Sequence, residues 1–219
     1  MANALIASLG FDERHVIRNL LRIGFKGIKK IILLIPSWDI DSRTKRAIDE
    51  IVKIAVIAGL ERNSIVTYRV DVKNLYNAVK AIYRLYRELV NEEVDKVIVS
   101  LGGGLRALII EAFLAIILLD RNTREKITVI VDLETGEDYI VVDPSMPFNY
   151  IPSENEVLVL NKLFQEPMSF KELLETTKLP RTTLWKTLCR LQENKLVKQQ
   201  ESRYAITEIG KIISLKQYS

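Results

Sequence analysis

Three observations predict an α/β Rossmann-like domain with a mostly parallel sheet and a terminal β-hairpin, followed by a C-terminal winged helix-turn-helix. Short apolar β-type runs alternate with helix-period runs over the first two thirds of the chain. A run of three glycines joins one of those strands to the next helix. After a proline-rich break come three short helical patterns and two short strands around a polar turn. At 219 residues and 48% hydrophobic composition, the chain is long enough for two separate cores.

The predicted strands are residues 4–9, 30–35, 65–70 and 97–101. Each precedes a helical stretch, at 15–23, 42–58, 75–90 and 105–119, in which apolar residues recur at three and four, as in Ile48, Ile51, Val52 and Ala55. Strands covered on both faces by crossover helices pair in parallel. Residues 127–133 and 138–142 flank Glu134-Thr-Gly136-Glu, a hairpin signal that adds antiparallel edge strands. Three prolines between Asp143 and Ser153 break both periodicities. The predicted division is therefore a Rossmann-like domain at 1–143, a linker at 144–152 and a winged helix-turn-helix domain at 153–219.

In the last segment, Ser153 with Glu156 and Ser169 with Glu172 are capping-box signatures. The first opens a helix whose expected apolar face is Val157, Leu160, Leu163 and Phe164. A second helix runs to the turn Thr177-Lys-Leu-Pro180, and a third, 181–194, buries Leu184, Leu188 and Leu191. Strands at 197–199 and 203–207 form the wing, and a helix at 208–215 closes the module.

Composition excludes several classes. One cysteine and one histidine provide neither a disulfide nor a zinc ligand set. No apolar run reaches membrane-spanning length, and a soluble cytoplasmic protein is expected. Net charge is +4, with 21 basic against 20 acidic residues up to Tyr150 and 11 against 8 beyond it, so the excess lies mainly where a polyanion is expected to bind.

Ligands of open parallel sheets collect outside the carboxyl ends of the strands. The candidate binding residues are accordingly Ser8, Leu9, Gly10 and Phe11 after the first strand, and Pro36, Ser37 and Trp38 after the second. After the fourth come Ser100, Gly102, Gly103, Gly104 and Arg106. Glycines let the backbone approach a ligand, the helix start offers N–H groups to an anion, and Arg106 can pair with phosphate. The glycine spacing is not Gly-x-Gly-x-x-Gly, which disfavours an ordinary dinucleotide. His15 falls off the apolar stripe of its helix and is read as a surface residue rather than a catalytic one.

In the third helix of the last segment, Arg181, Thr182, Thr183, Lys186 and Arg190 lie away from the buried leucines and are the candidate major-groove contacts. Lys198, Gln200 and Arg203 of the wing can reach the neighbouring backbone. Trp185, beside the leucine stripe, is read as partly packed rather than as a base contact.

The Ser8-Leu-Gly-Phe and Ser100-Leu-Gly-Gly-Gly-Leu-Arg106 turns, the hairpin and the winged helix together resemble a known family. It comprises the CRISPR-associated transcription regulators of archaeal type I-A systems, which join a CARF domain to a winged helix. The resemblance implies a homodimer formed by the CARF domains and a regulatory ligand, cyclic oligoadenylate, in the form of cyclic tetra-adenylate across the two-fold axis. It further implies a pseudo-palindromic double-stranded DNA operator controlling CRISPR genes, no cofactor and no enzymatic activity. Two alternatives stand beside it. One is a ring nuclease that cleaves the cyclic ligand, against which Arg106 stands where efficient family members carry lysine. The other is an NAD- or metabolite-sensing regulator.

Overall fold

A computed structural model describes residues 2–38, 41–92, 94–133 and 138–215. The chain divides into two compact units, Met1–Ser145 and Met146–Ser219.

The first unit is Rossmann-like. Its elements run β1 (Asn3–Ser8), α1 (Arg14–Ile23), β2 (Ile28–Pro36), α2 (Ser42–Ile57), β3 (Ile65–Val70), α3 (Leu75–Asn91), β4 (Lys96–Ser100), α4 (Arg106–Ile117), α5 (Arg121–Glu125), β5 (Ile127–Asp132) and β6 (Tyr139–Val142). The sheet order is β3-β2-β1-β4-β5-β6. The first five strands pair in parallel, and β6 runs antiparallel to β5 with Val129 opposite Val142. The predicted turn Glu134-Thr-Gly136-Glu lies outside the described residues.

Each interior strand is apolar on both faces because both faces are covered. Along β1, Ala4 and Ile6 join the core under α3 and α4, whereas Leu5 and Ala7 join the core under α1 and α2. The chain builds outward from β1 through β2 to β3 and then returns to place β4 on the other side of β1. Strand order therefore reverses between β1 and β4, and the connections leaving these two strands part to opposite faces of the sheet. A crevice opens at that point.

The second unit contains α6 (Glu154–Gln165), β7 (Met168–Ser169), α7 (Phe170–Thr177), α8 (Arg181–Glu193), β8 (Val197–Gln200), β9 (Arg203–Ile206) and α9 (Glu208–Ser214). Both expected capping boxes form, Ser153 with Glu156 and Ser169 with Glu172. Lys178, in the left-handed region at φ 58°, ends α7. Leu160, Leu163, Leu173, Leu184, Leu188 and Leu191 close a single core, against which the β7-β9-β8 sheet packs through Met168, Val197 and Tyr204. Phe164, expected on the buried face of α6, is instead exposed, and Val159 is buried on that helix. No helix among the described residues is long and apolar enough to cross a membrane.

Candidate functional site

The crevice between β1 and β4 is a cavity of about 690 Å³ whose wall includes residues from the ends of β1, β2, β4 and β5. Of the residues proposed from sequence, Leu9, Gly10, Phe11, Pro36, Trp38, Gly102, Gly103 and Gly104 line it. The glycines are required by what lies behind them. A side chain at Gly10 would start 2.9 Å from the Gly104 Cα, one at Gly102 would start 2.6 Å from an Asp132 carboxylate oxygen, and one at Gly103 would overlap the His15 ring at 2.1 Å. Gly104 also holds φ +94°, a conformation side chains resist. The two turns thus interlock backbone against backbone, leaving a rim of main chain.

Behind the rim is a buried polar network. His15, expected at the surface, is 5% exposed; its Nε2 donates to the Ser8 carbonyl at 2.9 Å. Helical phase alone does not show this burial, since the strand end that supplies the carbonyl is a separate element. Asn19 donates to the Ser100 hydroxyl at 2.9 Å and to Asp132 at 2.7 Å. Arg22 pairs with Asp132 at 2.7 Å and also lies 4.4 Å from the Tyr139 ring centroid. The Asp132 side chain is only 3% exposed, so this pair and the Asn19 bond satisfy a charge withdrawn from water.

Four proposed ligand contacts are not part of the cavity wall. Ser8 and Ser100 are fully buried within the strand ends, and the Ser100 hydroxyl is engaged with Asn19, so they serve the framework. Ser37 is exposed but outside the wall, its carbonyl accepting from Arg69 at 3.2 Å. Arg106 is exposed on the first turn of α4.

Sequence reasoning missed Asp12, Arg14, Asp41 and Asp132, all on the wall. Arg14 grips Asp12 through its Nε at 2.9 Å, and these hydrogen bonds hold the Asp12 carboxyl down at about 2. Asp41 caps α2 by accepting from the Thr44 N–H, which lowers its own pKa. Asp120 and Asn74 cap α5 and α3 in the same way, whereas α4 opens on Leu105, which has no side-chain acceptor for the first-turn N–H groups. Two exposed aromatic rings complete the wall, Phe11 with the Arg43 guanidinium 4.3 Å from its centroid and Trp38 with the Lys73 ammonium at 5.5 Å. Glycine backbone, flat apolar surfaces and nearby cations suit a ligand with aromatic rings and negative charge, while the Asp12 and Asp41 carboxylates on the same wall suit hydroxyl or amino donors of that ligand. Among the described residues, no group of three or more His, Cys, Asp or Glu side chains is placed to hold a metal ion.

In the second unit, Arg181, Thr182 and Lys186 are exposed on one face of α8, with Thr183 half-buried at its edge. Lys198 and Gln200 are exposed on β8. Two of the proposed DNA contacts also have internal partners. Arg190 pairs at 3.4 Å with the buried Glu156 carboxylate, which also accepts from the Ser153 N–H at 2.7 Å. Arg203 donates to the Pro167 carbonyl at 2.6 Å and pairs with Glu172 at 3.0 Å. Neither role was visible in the sequence, because each partner lies more than thirty residues away along the chain.

The family described as the Csa3 CRISPR-associated Rossmann-like domain matches residues 3–143. No curated protein matches the chain. Among solved structures, the crystal structure of protein VC1899 from Vibrio cholerae aligns at 12% identity over 97% of this chain, with a TM-score of 0.43; the chain spans 64% of that protein's length. The structure of Drosophila ORC bound to GC-rich DNA and Cdc6 aligns at 16% identity over 100% of this chain and 86% of that one, with a TM-score of 0.24.

Proposed function

Since the chain belongs to the Csa3 CRISPR-associated Rossmann-like family, and so has a CRISPR-related regulatory or ligand-sensing role, we propose that it is a ligand-responsive transcription regulator of CRISPR genes. Its ligand is a cyclic oligoadenylate, and its output is operator DNA held by the second unit acting as a winged helix-turn-helix. The observation that carries the reading is the interlocked glycine rim at the point where strand order reverses. Main-chain N–H groups there suit phosphates, and Phe11 and Trp38 suit adenine rings.

A ring of phosphates with two-fold symmetry calls for two copies of the rim, which an isologous homodimer supplies. The outer face of α4 supports such pairing: Ile110, Leu114 and Leu118, spaced four apart, are 59%, 37% and 64% exposed. Arg106, exposed one turn before Ile110, is available to a ligand that spans two copies. Ligand binding shifts the balance between two arrangements of the dimer, and that shift changes the spacing of the paired α8 helices on DNA.

Cleavage is the second reading, and the engagement of the nearby groups weighs against it. The Ser8 and Ser100 hydroxyls are buried, and His15 Nε2 donates to a carbonyl. We expect the protein to sediment as a dimer, to bind one cyclic tetra-adenylate per two chains and to return it intact after prolonged incubation. Arg106→Ala weakens that binding by about tenfold through loss of a charge-assisted pair. A monomer, or a dimer indifferent to the ring, overturns the reading; accumulation of linear product establishes the nuclease, and selective NAD binding the metabolite sensor.

A further inference from the structure

The exposed face of α8 carries more than cations. Trp185, 58% exposed, is one helical turn from Arg181 and Thr182 and adjacent to Lys186. With Phe170 from α7 and Tyr204 from β9, these residues line a groove of about 610 Å³. Its floor is aromatic and its rim cationic. Arg181 lies 5.8 Å from the Phe170 ring centroid, so the guanidinium is held at the groove edge. Trp185 is thus central to the face that the winged-helix reading directs at DNA, and not packed to one side of it.

We infer that Trp185 reads thymine, its indole and the Phe170 ring receiving the 5-methyl group while Arg181 and Lys186 grip the flanking phosphates. This rests on the DNA-binding reading above and adds to it a base preference that hydrogen-bonding side chains do not supply. Groove and base are complementary. An aromatic groove gains by burying an apolar group, and the thymine 5-methyl is the apolar group that DNA presents on base edges in the major groove. Cations at the rim make the site unsuited to an apolar protein segment and suited to a polyanion.

The test uses the full-length protein and a random-sequence duplex pool from which it selects its preferred sites. The selected duplex is then resynthesised with deoxyuridine in place of each thymidine in turn, which removes one methyl group and nothing else. The expected result is one position per half-site where this change weakens binding about fourfold, the worth of one buried methyl-sized group. Trp185→Ala abolishes that sensitivity, and Trp185→Phe retains part of it. Because Trp185 is exposed, both variants should melt as the wild type does. Equal uracil sensitivity in wild type and Trp185→Ala overturns the inference. So does a uniform loss of affinity with no uracil effect, which assigns the indole to deoxyribose. If the wild type enriches no sequence, the DNA-binding reading falls, and this assignment falls with it.

Discussion

The cavity rim of the first unit and the exposed face of α8 in the second present their chemistry in opposite ways. At the rim, buried polar side chains bond to one another behind glycine backbone, and the wall adds the Phe11 and Trp38 rings and the charged side chains of Asp12, Arg14, Arg18 and Asp41. His15 holds the Ser8 carbonyl, Asn19 holds Ser100 and Asp132, and Arg22 holds Asp132. On α8 the framework is leucine, and the polar groups Arg181, Thr182 and Lys186 stand in solvent. A wall built on paired buried groups is preorganised but intolerant of change, because each substitution leaves a partner unsatisfied or displaced. A face displayed on an apolar core can change without disturbing the fold. Substitutions at the rim should therefore cost stability first, and those of Arg181, Thr182 and Lys186 on α8 should cost binding alone.

The sharpest break of that contrast is Gly103→Ala. Gly103 has an ordinary φ, so its need for glycine is purely steric: the new methyl would sit 2.1 Å from the His15 ring. Overpacking of this kind costs about 3 kcal/mol, a fall of about 10 °C in the melting of the first unit. His15→Ala in the same chain removes the obstacle, so the double variant should be more stable than the sum of the two single losses by more than about 1 kcal/mol. Additive losses in denaturant unfolding would show that the rim is not packed as described.

The difference between the two regions also explains what the sequence revealed. Periodicity located the long helices and the parallel strands to within a residue or two, because burial on one or both faces imposes a period. The five-residue α5 and the two-residue β7 carry too few residues to show one. The glycine turns were legible from local grammar. Their reasons were not, since Asp132 lies 113 residues from Asn19 and 110 from Arg22, and only the sheet order brings them together. Ser8 and Ser100 sit at strand ends, which local sequence cannot distinguish from open surface, and the interlocked turns cover them. On α8, the exposed stripe was legible, but the pairing of Arg190 with Glu156 was not, because a cation facing water and one facing a buried carboxylate share the same helical phase.

Two substitutions of basic residues on the same helix sharpen the contrast. Lys186→Ala should leave thermal unfolding within about 0.5 kcal/mol of wild type. It should also reduce the salt dependence of DNA binding, by about one unit of slope for each phosphate that Lys186 no longer neutralises. Arg190→Ala should do the reverse, leaving the salt slope unchanged. It costs about 1 kcal/mol, because Glu156, whose side chain is 2% exposed, keeps its hydrogen bonds from Ser153 but loses its counter-charge. If Arg190→Ala flattens the slope instead, its pairing with Glu156 gives way to DNA on binding.

The smallest effect comes from a buried polar group in the first unit that the rim's pairing pattern does not cover. Glu111, on the buried face of α4 beside Leu108 and Ala112, is 3% exposed, and its Oε2 has no hydrogen-bond partner among the described residues. Burial raises its pKa above the ordinary 4.5, and the Asp71 carboxylate adds to the rise. A raised folded pKa means that the native state binds the proton more tightly than the unfolded chain does. Its contribution to stability is present in full below about 4.5 and is lost as pH climbs through the folded value. Glu111→Gln removes that titration. Relative to wild type, the variant should gain stability progressively as pH rises above 4.5 and hold the gain at neutral pH, by about 1 kcal/mol or less, since the amide is still buried. Denaturant unfolding across that range reads the difference directly. Parallel profiles for the two proteins would mean that Glu111 has found a partner, as the carboxylate at the rim has in Arg22.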